Sequence, residues 1–369
     1  MTVIILFTYG ISLVNWQETG LLKRELRIYE QLATKYNIKF KLLTYGDISD
    51  LKIPILSKGI EVVPIYAYIK KSNIKAINYF NSLFIGFRYR KFGIEKNSII
   101  KTNQLWGSWV GIVLKLNTSS KLLVRTGYDL LTFKKLEQKE SYKIYLFKTL
   151  TKASLKFSNC YVVTSNRDRE FLQSLFPKYK EKIIVIQNYV ESTPLKETKY
   201  KKDRIISVGR LEKQKNYEYL IRELSGSKWI LDIVGEGSQR EFLTKEIDNF
   251  KSNVNLVGTF KNEELLEKLT EYKFYVSSTL YEGNPKSILE AMAAGCIVIA
   301  PKVVGVNEII DHGVNGFLYD LKENKLNDLL VSLDSYKLDE ISEMAKKYIS
   351  DNHDFNLILE KEYSIYSKL

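Results

Sequence analysis

Short apolar runs alternate with helix-period segments along this chain, stop once, and then start again. Nothing else in the sequence restricts its fold as much. In the first half the apolar runs fall at residues 3–8, 38–46, about 60–66, 98–102, 121–125, 160–164 and 183–187. Between them lie helical patterns. In 21–36, Leu22, Leu26, Tyr29, Leu32 and Ala33 recur at helical spacing. A basic, aromatic stretch over 73–92, a Trp-rich segment with Trp106 and Trp109, a long basic helix over 134–157 and a helix over 167–175 complete this half. A strand buried on both faces reads as a continuous apolar run, and joining it to a parallel neighbour takes a helical crossover. The alternation therefore predicts an open parallel sheet. Residues 189–203 (YVESTPLKETKYKKD) lack an apolar period, contain proline and read as a linker. Strands are then expected at 204–208, 229–234, 254–257, 274–277, 296–300 and 316–319, with helices between them and an amphipathic helix at the end. The predicted fold class is α/β, with two Rossmann-like, doubly wound domains facing a central cleft. In such folds ligands bind beyond the carboxyl ends of the strands.

The 369 residues are enough for two cores. No run of 18 or more apolar residues exists, and the apolar start is short and lacks leading positive charges. A first strand is expected there, with no transmembrane span. Cys160 and Cys296 sit beside apolar runs and read as buried thiols of a reducing compartment. Residues 1–190 hold 31 Lys and Arg against 13 Asp and Glu, whereas residues 191–369 hold 25 against 30. One half is thus strongly basic. That fits an anionic lipid surface, a nucleic acid or an anionic substrate, with general solubility as the plainer reading.

The most informative stretch is YEGNPKSILEAMAAGCIVIA, residues 281–300. Asn284 is expected to cap a helix whose first position is Pro285. Glu282 then lies in the loop before the helix and Glu290 within it. Lys286 in the first turn opposes the helix dipole, which makes sense where an anion docks; a solvated surface lysine is the alternative. Upstream, VGRLEKQKN places Gly209 and Arg210 directly after a strand, with Lys215 just ahead of a helix beginning near Asn216. Two cations beside a helix N-terminus suit a diphosphate. Carboxylates such as Glu282 and Glu290 suit sugar or ribose hydroxyls. Residues 305–308 (GVNE), and Gly20 at the start of the first helix, offer further backbone amides to phosphate. The sequence contains no Asp-x-Asp pair, no Cys/His cluster at metal-ligand spacing and no Walker motif. Its two histidines, His312 and His353, both lie in the second half.

These motifs, in this order, resemble the donor domain of the retaining, two-Rossmann-domain (GT-B type) glycosyltransferases of family four, the glycosyl transferases group 1. The match covers roughly residues 204–320: VGRLEKQKN, the VGEG turn at 234–237, the 281–300 stretch and NEIIDHGVNGFLY. The TSN at 164–166 and IQNYV at 186–190 sit where that family leaves its acceptor domain.

The resemblance implies an acceptor-binding domain over 1–188, a linker over 189–203 and a nucleotide-sugar-binding domain over 204–350. The helix over 351–369 would pack back on the first domain. It implies a nucleotide-sugar-dependent hexosyltransferase that retains anomeric configuration. Its substrates would be a nucleotide-diphosphate sugar and a hydroxyl of a saccharide acceptor, lipid-linked in cell-envelope polysaccharide or glycan assembly. No cofactor or metal is expected.

Arg210, Lys215 and Glu282 would be catalytic: the two cations would hold the diphosphate, and the carboxylate would hold the transferred sugar. Gly20, Gly209, Gly283, Asn284, Pro285, Lys286, Ser287 and Glu290 would bind the donor, Glu290 at the ribose. Many members carry a histidine after a strand of the first domain. Here Tyr128 and Asp129 stand about there, and they read equally as a sugar or acceptor contact or as a core tyrosine and a capping aspartate. The first loop also lacks the family's paired glycines. The expected location is cytoplasmic, with the basic aromatic helices resting on the inner face of the cell membrane as one reading and merely covering a sheet as the other. A catalytically altered glycan-binding relative is the alternative function. A nucleic-acid-binding module is disfavoured, because the basic half shows no recognition motif.

Overall fold

The computed structural model describes residues 1–55, 57–127, 141–191, 204–323 and 326–369. Tyr128 and Asp129 therefore lie outside the described residues, as does most of the expected linker. The chain divides into two compact units. One comprises Met1–Ile186 with Leu359–Leu369, the other Gln187–Ile358.

The first unit is built on seven strands: β1 (Thr2–Leu6), β2 (Lys39–Thr44), β3 (Ile60–Pro64), β4 (Ile99–Thr102), β5 (Lys121–Arg125), β6 (Cys160–Val163) and β7 (Ile183–Val185). They lie in the order β3-β2-β1-β4-β5-β6-β7, and every neighbouring pair is parallel. Val3, Ile4, Ile5 and Leu6 are all buried, as a central strand covered on both faces requires. Helix Leu22–Tyr36 buries Leu26, Ile28, Tyr29, Leu32 and Ala33 and ends at Asn37 in the left-handed conformation.

The continuous helix expected over 73–92 is broken. Helix Lys75–Ser82 is followed by 3-10 turns over Ile85–Phe92, with Arg88 outside helical geometry. Ile85 and Phe92 turn inward, while Ile77, Phe80, Phe84 and Phe87 stay exposed. One helical face cannot satisfy both sets. Trp106 lies before helix Ser108–Thr118 and not within it.

The second unit carries β8 (Arg204–Val208), β9 (Ile230–Val234), β10 (Val254–Gly258), β11 (Phe274–Val276), β12 (Ile297–Pro301) and β13 (Phe317–Tyr319). Their order is β10-β9-β8-β11-β12-β13, again wholly parallel. Both sheets start at an inner strand, run outward to one edge, then cross back and run the other way. The reversal falls between β1 and β4 in one unit and between β8 and β11 in the other. At such a switch point the crossover helices leave toward opposite faces and open a crevice at the carboxyl ends. Cys160 and Cys296 are free and buried, and burial pushes each thiol up to about 12.

Candidate functional site

The residues singled out in the second half meet at the β8/β11 switch point. After β8 the chain runs through Gly209 and Arg210, makes a 3-10 turn over Lys213–Lys215, and enters helix Tyr217–Glu223 from Asn216 in the left-handed conformation. The loop after β11 is laced to this turn along its length. Leu280 N donates to Gln214 O (2.9 Å), Gln214 Nε2 donates to Tyr281 O (2.8 Å), and Ser278 Oγ donates to Lys215 O (2.8 Å). These contacts fix the direction of two side chains. Lys215 Nζ lies 2.6 Å from Glu282 Oε1, and the Thr279 hydroxyl donates to the same oxygen at 2.9 Å. The Lys215 and Glu282 side chains are only 18% and 12% exposed. The ammonium has three donors, so the pair leaves capacity for another acceptor.

Two glycines make this geometry possible. Gly235, in the VGEG turn, has φ +155, and a Cβ there would lie 1.9 Å from Gly209 O. The turn therefore rests directly on the backbone that presents Arg210, held by Gly209 N to Val234 O (2.9 Å) and Leu211 N to Glu236 O (3.0 Å). Gly305 has φ +81, and a Cβ there would fall 2.2 Å from Glu282 O. With Glu282 N donating to Val304 O (2.9 Å), this is how the GVNE segment serves the site: it buttresses the Glu282 backbone. Residues 304–309 are a run of turns and no helix forms there.

Helix Lys286–Ala293 begins one residue later than expected. Pro285 is its cap and accepts from Ile288 N and Leu289 N. Asn284 does not cap it. Its carboxamide oxygen accepts from Asn188 N (2.9 Å), while its carbonyl accepts from Asn188 Nδ2 (2.8 Å). The side chain is already committed to a reciprocal clamp 96 positions away in sequence. Tyr275 links this helix to β8, its hydroxyl standing 3.3 Å from Val208 O and 3.1 Å from Ser287 Oγ. Burial raises the Tyr275 pKa, so it remains a phenol. Glu290, buried, is one helical turn beyond Ser287 and Lys286 and shares their face. The Lys286 ammonium sits over the Tyr189 ring, 4.8 Å from its centre. Gly283 and Pro285 are buried in the turn. Arg210 is exposed, and its guanidinium makes no hydrogen bond or ion pair with a described residue.

The sequence reading missed the lacing by Gln214, Ser278 and Thr279, and the Asn188–Asn284 clamp. Gln214 stands inside VGRLEKQKN and Asn188 inside IQNYV, so both were in view, but their partners lie far off in sequence. Gly20 belongs to the first unit. It follows a short helix, Leu13–Glu18, that was not foreseen, so it does not open the first helix. Its φ is +70, and its N–H donates to Gln17 O (3.1 Å), so that amide is already used.

Two parallel-sheet units, the second with a cation-bearing loop at its switch point, define the GT-B class of fold. Solved structures agree. The chain superposes on sucrose-phosphate synthase from Thermosynechococcus elongatus with a TM-score of 0.78 at 17% identity, covering 100% of this chain and 99% of that one. It superposes on Anabaena HepE in complex with UDP-glucose with a TM-score of 0.72 at 17% identity, covering 100% of both. Residues 191–352, which fall almost wholly in the second unit, match the family described as Glycosyl transferases group 1. Among curated relatives, an uncharacterised glycosyltransferase of Methanocaldococcus jannaschii is 25% identical over 322 residues, which is 80% of this chain and 81% of the relative.

Proposed function

We propose that this protein transfers a sugar from a nucleoside-diphosphate donor to a hydroxyl of a saccharide acceptor, with the anomeric configuration retained. The observation that carries this reading is the Lys215–Glu282 pair at the switch point, beside a guanidinium left open to solvent. A cation and a carboxylate on one rigid loop junction can grip opposite ends of a sugar diphosphate. Lys215, Arg210 and the first-turn amides of helix Lys286–Ala293 face the phosphates. Glu282 accepts from a sugar hydroxyl, and Glu290 accepts from the ribose. Gly20 remains the first unit's candidate contact to the donor. Tyr128 and Asp129 remain the acceptor candidates.

In the reaction the bond from the anomeric carbon to the phosphate oxygen breaks, and a bond to the acceptor oxygen forms on the same face. The departing phosphate takes the acceptor proton. Charge grows on the diphosphate as it leaves, and side-chain cations and amide dipoles, in place of a metal ion, stabilise it. The Anabaena neighbour was solved with UDP-glucose, so uridine diphosphate is the first ligand to try. At a hundredfold excess over its Kd, uridine, guanosine or adenosine diphosphate should stabilise the protein by about 2.7 kcal/mol in a thermal-shift screen. Arg210→Ala should abolish most of that gain. Absence of a shift with all three nucleotides would end the donor assignment.

The acceptor reading is a lipid-linked saccharide met at the inner face of the cell membrane. Among the described residues no helix is long and apolar enough to cross a membrane. Ile74, Ile77, Phe80, Phe84 and Phe87 are exposed beside Lys70, Lys71, Arg88, Arg90 and Lys91. Apolar side chains flanked by cations suit an anionic interface. Flotation with anionic liposomes should recover the protein in low salt and release it in high salt. Failure to float in low salt would place the protein off the membrane.

A further inference from the structure

The chain passes from the first unit to the second between Ile186 and Gln187, and returns between Ile358 and Leu359. Just inside the second unit the two passages are joined. Val190 N donates to His353 O (2.9 Å), and Val190 forms a parallel bridge with Asp354. Tyr189 meets Phe355 edge-on, with ring centres 4.9 Å apart. His353 is fully buried, and its Nδ1 stands 2.8 Å from Asn188 O. A carbonyl can only accept, so this contact places a proton on Nδ1.

The same short segment also reaches the turn that carries the candidate donor residues. Asn188 N donates to Asn284 Oδ1 (2.9 Å), and Asn188 Nδ2 donates to Asn284 O (2.8 Å). Tyr189 holds the Lys286 ammonium over its ring, 4.8 Å from the centre. Asn188 is therefore a junction. Its carbonyl is taken by His353, and its amide N–H and carboxamide by Asn284. One hydrogen bond would leave the Asn284 turn free to rotate about it. Two bonds, to the side chain and to the carbonyl of one residue, fix the carboxamide and the peptide together. This matters because Asn284 joins Glu282 and Gly283 to the first turn of helix Lys286–Ala293. A reacting group held about 1 Å out of place can cost about 100-fold in rate.

We propose that Asn188 is a positioning residue for sugar transfer: fixed by His353, it sets the Gly283–Pro285 turn against which the sugar of the donor rests. The diphosphate and ribose are held by other groups, Arg210, Lys215 and Glu290. The proposal rests on the transferase reading and deepens it.

The test uses the full chain, the nucleoside diphosphate that stabilises it, and the glucose, galactose and N-acetylglucosamine conjugates of that nucleotide. Asn188→Ala and the near-isosteric Asn188→Asp, which puts an oxygen where Asn284 O needs a donor, should each lower kcat about 10–100-fold. By calorimetry both should weaken the sugar conjugate about tenfold, the loss of one or two hydrogen bonds, while Kd for the bare diphosphate stays within about twofold. In the ligand-free protein, hydrogen exchange of the amides over residues 283–289 should quicken about tenfold, with the rest of the second unit unchanged. His353→Asn keeps a donor near the Nδ1 position and should hold kcat within about threefold of wild type, whereas His353→Leu should behave like Asn188→Ala.

A purely structural part for Asn188 would weaken diphosphate and conjugate together, or quicken exchange throughout the second unit. Either result overturns the proposal, and so does near-wild-type kcat in both Asn188 variants. Unchanged exchange over residues 283–289 overturns the clamp whatever nucleotide binds. Failure of every diphosphate to bind wild type would instead end the transferase reading, and the sugar role of Asn188 with it.

Discussion

Lys215→Ala lowers kcat for sugar transfer by about 10²–10³-fold, the loss typical when one preorganised electrostatic stabiliser is removed from a transition state. The loss falls on kcat more than on KM, because charge on the diphosphate grows as the glycosidic bond breaks and the ammonium answers mainly that growth. The fold survives. Glu282 keeps the Thr279 hydroxyl at 2.9 Å, and the lacing of the two loops runs through Gln214 and Ser278 and does not use the lysine ammonium. Lys215→Arg does not restore the rate. The lysine stem runs against Gly209, where a Cβ would stand 2.9 Å from Lys215 Cε. A planar guanidinium cannot take the place of a compact ammonium there. Single-turnover and steady-state rates with the donor found by thermal shift decide the point. Transfer by Lys215→Ala within a few-fold of wild type would remove the lysine from the chemistry.

The second large effect is on stability and belongs to the first unit. Lys101 sits in the middle of β4, 1% exposed, in a strand otherwise made for burial. Its ammonium pairs with Glu362 from the C-terminal helix Phe355–Lys368, and Arg125 and the Tyr366 hydroxyl also reach that carboxylate. Burial alone would raise the Glu362 pKa. The charges of Lys101 and Arg125, with the hydrogen bonds from Lys101 and Tyr366, outweigh it and hold the pKa below the ordinary value of 4.5.

Glu362→Gln leaves a buried ammonium without its counter-charge, and should destabilise the first unit by about 3–5 kcal/mol in denaturant unfolding. Replacing both partners with apolar residues, Lys101→Met with Glu362→Leu, should recover most of that loss, since no charge is then left buried. The pH dependence follows from the sign of the shift. A carboxyl whose pKa is lower in the folded state contributes its stability above its unfolded pKa. Wild type should therefore lose stability as pH falls below about 4.5 and through the depressed folded value, and Glu362→Gln should lack that component. A Glu362→Gln variant within 1 kcal/mol of wild type would show that the pair contributes little.

Much of this molecule could be read in advance wherever the signal is local. The inner strands were the most visible, because a doubly covered parallel strand is apolar residue after residue, as in Val3–Leu6 and Ile297–Ala300. The loops after the strands were visible because glycines mark them: Gly235 and Gly305 bring backbone onto backbone, and Gly209 makes room for the Lys215 side chain. The reading failed where one residue had two uses. Asn284 looked like a helix cap because Asn before Pro often is one. In the folded chain its carboxamide serves Asn188, so Pro285 caps the helix instead. The segment over 73–92 looked like one helix because its apolar residues recur at helical spacing. It breaks because part of that set is buried and part is not.

By itself, then, the amino-acid order determined two parallel sheets, the loops that follow their strands and the residue types those loops present. Backbone geometry and burial act within a few positions of the chain, so they leave a local trace. Only the tertiary structure decided which of these groups touch. It set Lys215 against Glu282 across 67 positions and Lys101 against Glu362 across 261, and it clamped Asn188 to Asn284 across 96. Such pairings depend on strand order and on where crossovers return the chain, and no periodicity along the sequence records them.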